Sequence, residues 1–313
     1  MASRSSRSAR LTLVAFGLLC SVRGIEAQDA ATSAGTIART PISRERRYVM
    51  NARIRPLLFW IRKNNVGAAR ITWRGNREGA HGYELLVGSD PLKAPRKINR
   101  WGYIAEHALD GDAAVVGVMK HANSESVEEA ERQLAREGTG GYVFQAIRAH
   151  VRGEVSTSEI VQIRSDTDMS YRELDALLAR VDRVEAPPRS VSVPNAIAPG
   201  LLSAVAEMVH ETISRPERGR ATRLSPPRPG PYVYNNRLYD LTMRSLEAVT
   251  DFAAGERRYG PALDAEFEIL NRSTRNKTKF SIVYGRSGAL AGVPLKIVFR
   301  PKWWFEAELL LED

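Results

Sequence analysis

Residues 266–312 read EFEILNRSTRNKTKFSIVYGRSGALAGVPLKIVFRPKWWFEAELLLE, and this run decides the fold. Phe267 and Ile269 alternate with Glu266 and Glu268. Beyond the polar turn Asn271 to Lys279, Phe280, Ile282 and Tyr284 share a face. Beyond the glycine-rich turn Gly285 to Gly292, Leu295, Ile297 and Phe299 share another. Trp303, Phe305, Ala307, Leu309 and Leu311 then alternate with Trp304, Glu306, Glu308, Leu310 and Glu312. A side-chain period of two, repeated through segments joined by short turns, predicts neighbouring antiparallel strands with one dry face and one wet face.

Working outward, Tyr142 to Val151 and Val155 to Arg164 predict a hairpin about Arg152-Gly153-Glu154. Ala69, Ile71 and Trp73 alternate with Arg70, Thr72 and Arg74, a half-buried strand, and Tyr83 to Val87 is another. Ala52 to Ile61 is β-rich, but Pro56 lacks a donor N–H and points to a sheet edge or bulge there. Three helices interrupt the strands. Ser126 with Glu129 and Ser170 with Glu173 are capping boxes. The first precedes Val127, Ala130 and Leu134. The second precedes Tyr171, Leu174, Leu177, Leu178, Val181 and Val184, stopped by Pro187-Pro188. Pro199 opens the third, with Leu201, Leu202, Val205, Met208, Val209 and Ile213 apolar.

These signals predict an α+β chain of about ten strands, mainly antiparallel β, forming a curved sheet, sandwich or incomplete barrel around its helices. Residues 49–313 form a single domain, with a helical insertion at about 165–214 and an Arg/Pro loop over 214–231. Residues 28–48 are polar and aperiodic, a flexible lead-in. An outer-membrane barrel fits poorly, because several strands would turn arginines towards lipid.

The N-terminus predicts export. Arg4, Arg7 and Arg10 precede the apolar stretch Leu11 to Val22, and Ala27 supplies a small residue for cleavage, so residues 1–27 read as a signal peptide. The stretch is shorter than the roughly 20 residues a bilayer span requires; a retained N-terminal anchor is the other reading. The expected location is periplasmic or extracellular. Cys20 is the sole cysteine and has Leu19 before it, which argues against lipidation. A processed chain would then lack cysteine, and with it disulfides and thiolate chemistry. The formal charge of +10 carries only eight lysines, and its arginines are dispersed. That pattern suits anionic lipid or cell-wall polymer better than nucleic acid.

No catalytic, metal or cofactor motif emerges. Gly285-Arg286-Ser287-Gly288 lacks the spacing of a nucleophile elbow or a P-loop and reads as a hairpin turn. His81, His107, His121, His150 and His210 show no metal-ligand spacing. Glu306 and Glu308 are about 7 Å apart along one strand face, the pattern of an ordinary solvated face. Asn271 and Asn276 head glycosylation sequons in a turn expected to be accessible. The most suggestive cluster is the loop holding Lys93, Arg96, Lys97, Arg100 and Trp101, where cations beside an indole suit an anionic head group. Trp304, on the polar strand face, is a further contact candidate.

The expected function is non-enzymatic binding of an amphipathic or anionic envelope component. A second reading is a hydrolase assembled from Asp90, His107 or His150, and Glu306. A third is an assembly partner using an exposed strand edge.

Overall fold

The computed structural model describes residues 40–55, 60–75, 81–94, 97–109, 112–120, 141–195, 197–215, 222–302 and 305–312. The expected signal peptide, Pro56, His121 and the helix expected after Ser126 lie outside the described residues.

The described residues form one 14-stranded antiparallel sheet, curved and not closed. Its first half is a meander: β1 (Ile42–Ile54), β2 (Ile61–Gly75), β3 (His81–Ser89), β4 (Trp101–Leu109), β5 (Asp112–Lys120), β6 (Tyr142–Arg152) and β7 (Val155–Ser165), edged by β8 (Arg189–Ser192). The second half comprises β9 (Gly230–Tyr234), β10 (Arg237–Ala254), β11 (Arg257–Asn271), β12 (Lys277–Gly285), β13 (Pro294–Lys302) and β14 (Phe305–Leu311). The halves join where β1 pairs with β14, from Tyr48 opposite Leu311 to Ile54 opposite Phe305. Every other pair is between strands adjacent in sequence.

Bulges let so many strands curl. The β10–β11 register shifts between Met243 and Ser245 and again between Val249 and Phe252, and β1–β2 shifts between Met50 and Ala52. An extra residue on one strand bends it and increases its twist. Curling brings the β7–β8 and β9–β10 edges close without pairing them. The chain between β8 and the next helix stitches the seam instead. Val193 N–H donates to Glu154 O (2.9 Å), Ala198 N–H to Pro231 O (3.3 Å), and Val233 N–H to Ala198 O (3.2 Å). Val151, Val193, Ile197 and Val233 form a small core there. Backbone groups of Pro231 and Val233 on the β9 edge are thereby satisfied, which blunts the usual hazard of an open edge.

Among the described residues, two α-helices lie on opposite faces. Helix α1 (Leu174–Val181) covers the convex face of β4–β7, with Leu174, Leu177 and Val181 packed among Trp101, Tyr103, Val116, Phe144 and Val161. The expected capping box precedes it: Ser170 N–H donates to Glu173 Oε2 (2.7 Å), and Ser170 Oγ accepts from Arg172 N–H (3.3 Å). The helix ends at Val181, short of the expected Val184. Arg148 explains the stop, since it donates to Val181 O (3.2 Å) and Val184 O (2.9 Å) and pairs with Glu159. Helix α2 (Leu201–Ile213) occupies the concave side, where Ala204, Met208 and Val209 join Tyr232, Leu241, Phe267, Ile269 and Tyr284 in the main core.

Three expectations need correcting. Strand β1 begins at Ile42, inside the stretch read as a lead-in. The sheet has 14 strands where about ten were expected. Asn271, expected to be accessible, is fully buried, and its Oδ1 accepts from Ser273 and Thr274 N–H to build the β11–β12 turn. In the described part of the Arg/Pro loop, Leu224 N–H donates to Leu246 O (2.8 Å) before β9 begins.

Candidate functional site: an apolar cavity beside helix α2

Between α2 and the concave sheet lies a cavity of about 440 Å³, partly open to solvent. Three walls line it. Strands β2–β4 contribute Ile71, Trp73, Leu85, Val87 and Ile104. Strands β11–β14 contribute Ile269, Phe280, Ile282, Ile297, Phe299 and Leu309. Helix α2 contributes Leu201, Leu202, Val205, Val209 and Ile213. Its volume falls within the range of about 300–1,000 Å³ usual for small-molecule sites.

Alternation explains why these side chains meet. In β3, Tyr83, Leu85 and Val87 share the inner face while Leu86 packs towards α1. In β4, Ile104 and Glu106 point inward while Trp101, Tyr103 and Ala105 point to α1. On α2, Met208 and Thr212 face the core, leaving Leu201, Val205 and Ile213 along the cavity.

The helical wall is pinned at both ends. At its N-terminus, Glu106 Oε1 accepts from Leu202 N–H (2.8 Å) and Oε2 from Ser203 N–H (2.7 Å). Two otherwise orphaned donors are satisfied by a carboxylate from the sheet, at the helix end whose dipole favours negative charge. Burial nonetheless raises the Glu106 pKa, and these hydrogen bonds only oppose that rise. At the other end, Thr212 Oγ1 donates to Val209 O (2.7 Å) and therefore accepts from Tyr284 OH (2.7 Å). Burial pushes Tyr284 up to about 12, so it stays a donor at neutral pH.

Polar groups are few and gather at the rim. Ser43 and His210 are exposed and Arg44 half-buried, which marks the opening. The Arg44 guanidinium lies 5.6 Å from the centre of the Trp73 ring, and its Nη1 donates to Ala291 O (3.4 Å). Deeper in, Tyr232 and Tyr239 stack at 5.0 Å, and burial raises both phenols.

The residues singled out from sequence lie elsewhere. None of Lys93, Lys97, Arg100 and Trp101 lines the cavity. Arg96 and Trp304 lie outside the described residues. Trp101 is buried, and its indole N–H donates to Met169 O (3.0 Å), so its ring faces the α1 core. Lys93 and Lys97 are exposed, beside Leu92 at 86% exposure. On its inner side the loop sends Ala94 and Ile98 into the core around Tyr48, Met50 and Leu309.

The residues of the hydrolase reading are not brought together. His107 pairs with Gly82, eight residues along β3 from Asp90, which is about 26 Å at strand rise. Asp90 Oδ1 accepts from Leu92 N–H (3.0 Å) in a local turn. Glu306 lies on the convex face between Arg53 (3.3 Å) and Arg300, and Glu308 beside it pairs with Arg62 (2.9 Å) and Lys296 (3.1 Å). The two carboxylates belong to a ladder of ion pairs and not to a cleft.

Fold and site together define an open β-barrel-like sheet that encloses a helix and an apolar cavity. No family model and no curated protein matches the sequence. Among solved structures it is similar to a β-barrel-like protein of the domain of unknown function DUF1849 from Brucella abortus. The identity is 7% over 86% of this chain and 96% of that one, with a TM-score of 0.36. Among the described residues, no helix is long and apolar enough to cross a membrane.

Proposed function

We propose that the protein binds the apolar chain of an amphipathic molecule in the cavity beside α2, as a non-enzymatic carrier or sensor of an envelope component. The observation that carries this reading is the composition of the cavity: three apolar walls, with Arg44, Ser43 and His210 at the opening. A core of ordinary packing density leaves few voids larger than a water molecule. A hollow of about 440 Å³ held between pinned elements therefore suits a guest better than a packing fault. The N-terminal segment supports an exported location, where such ligands are abundant.

The basic loop supplies a second, outer contact in this reading. Lys93 and Lys97 flank the chain next to the exposed Leu92, an arrangement suited to touching an anionic surface from which a ligand is drawn.

The test is displacement of a neutral, environment-sensitive fluorescent alkyl probe by unlabelled alkyl chains of increasing length. Saturable one-to-one binding that tightens with each added methylene, at about 0.8 kcal/mol per group buried, supports the reading. Absence of saturable binding for every chain length would sink it.

A further inference from the structure

We infer that the opening of the cavity selects an anionic head group, carboxylate or phosphate monoester, through the guanidinium of Arg44. This rests on the proposed binding of an alkyl chain and adds the chemistry of its polar end.

Arginines are plentiful here, and several along the sheet are held by carboxylates. Arg53 and Arg300 pair with Glu306, Arg74 with Glu84, Arg148 with Glu159, and Arg244 with Glu268. Arg44 has none among the described residues. Its neighbour Glu45 turns to Arg47 (3.5 Å) and Arg70 (4.0 Å) instead. Arg44 is held by the Trp73 ring face and by one hydrogen bond to Ala291 O. A guanidinium carries five N–H donors, so that single bond leaves most of its donors uncommitted to protein. Both Arg44 and Trp73 line the cavity, so the cation stands at the junction of the apolar walls and water.

Stacking fixes the plane of the guanidinium without neutralising it, and a planar fork matches carboxylate and phosphate bidentately. His210 on α2 lines the same opening and can donate or accept beside it. Ser43 does not compete for the anion, since its hydroxyl donates to Trp73 O (3.0 Å). The outcome is a site in which an alkyl chain lies between α2 and the sheet while its charged end meets Arg44.

The experiment compares dodecanoate, dodecyl phosphate, dodecanol and dodecyltrimethylammonium as competitors of the neutral fluorescent probe. For wild-type protein the better of the two anions is expected to compete about tenfold or more better than dodecanol, and the cation worst. The ranking of dodecanoate against dodecyl phosphate tells which anion the opening prefers. Arg44→Gln should bring that anion to within about threefold of dodecanol, each competitor being compared within the same variant against that variant's own affinity for the neutral probe. Arg44→Lys, which keeps the charge and loses the fork, should fall between. Equal competition by dodecanol and the anions in wild type, or an anion preference that survives Arg44→Gln, overturns the inference yet leaves the cavity reading standing. Failure of all four to compete removes both.

Discussion

Glu106 on β4 and Gly200 at the start of α2 are fitted to one another: the carboxylate occupies the space that a Cβ on residue 200 would need. The backbone of Gly200 is extended, so close approach, and not an unusual torsion, is what excludes a side chain there. The contact lets a strand residue cap a helix on another element, and it sets where α2 stands over the sheet.

Removing either partner is expected to act through the same contact. Glu106→Ala should cost about 2 kcal/mol, the usual worth of a cap plus the penalty for stranded N–H groups. Gly200→Ala should destabilise in the same direction by displacing the carboxylate. Urea unfolding of the double variant should fall short of the summed single effects by at least about 0.5 kcal/mol. Strict additivity would mean that the two residues act independently.

Filling the cavity should separate binding from folding. Val205 is half-buried on the cavity face of α2, so Val205→Trp places an indole in the hollow and not in packed core. Its thermal midpoint should match or exceed that of wild type, and its affinity for the neutral alkyl probe should drop by at least about tenfold. An unfolded variant, or one that binds normally, would contradict the assigned position of the ligand.

Acid should weaken the fold through its convex-face ion pairs. The hydrogen bond from Arg244 holds Glu268 below the usual glutamate range, with Lys277 assisting. Burial alone would raise Glu308, but hydrogen bonds from Asn51 and Lys296 outweigh it and hold that group below its ordinary value. For both, the stabilising effect is present above the ordinary glutamate pKa of 4.5 and lost as pH falls through the depressed folded values. Glu106 has the opposite sign, since its raised pKa favours the fold on protonation. Replacing Glu268 and Glu308 by Gln should lower stability at neutral pH and flatten its decline with acid. Urea midpoints measured from about pH 3 to 7 would show this, and parallel curves for variant and wild type would refute it.

The basic loop should divide cleanly into anchor and contact. Trp101→Ala should destabilise by about 3–5 kcal/mol, as large aromatic truncations in cores do. Lys93→Glu with Lys97→Glu should leave the urea midpoint unchanged and reduce co-sedimentation with anionic vesicles at low salt. Unchanged sedimentation would remove the loop from the binding account.

Legibility in the sequence followed the exposure of each strand. The C-terminal meander was readable because one face is dry while the other carries charges such as Glu266, Glu268, Glu306 and Glu308. Strands β4 and β5 were not, because α1 covers their convex side and a separate cluster of Ile104, Val115, Ile147 and Leu202 buries their concave side. WGYIAEHAL and DAAVVGVMK are consequently apolar on both faces and lose the period of two. In β10 the bulges shift the alternation partway along. The cavity was illegible for a related reason, since Ile71, Leu85, Ile297 and Val205 are the residues a packed core would also use. Glu106 was the available signal: a lone acid within an apolar strand needs a partner, and its partner is the end of α2.

Trp73 offers the most direct measurement, because its ring lies in the cavity wall. Titration with a dodecanoate brominated close to its carboxylate should quench tryptophan fluorescence saturably. The quenched fraction should vanish in Trp73→Phe, and Val205→Trp should prevent the labelled chain from reaching Trp73. Quenching that is unsaturable, or that persists unchanged without Trp73, would contradict an alkyl chain lodged between α2 and the sheet.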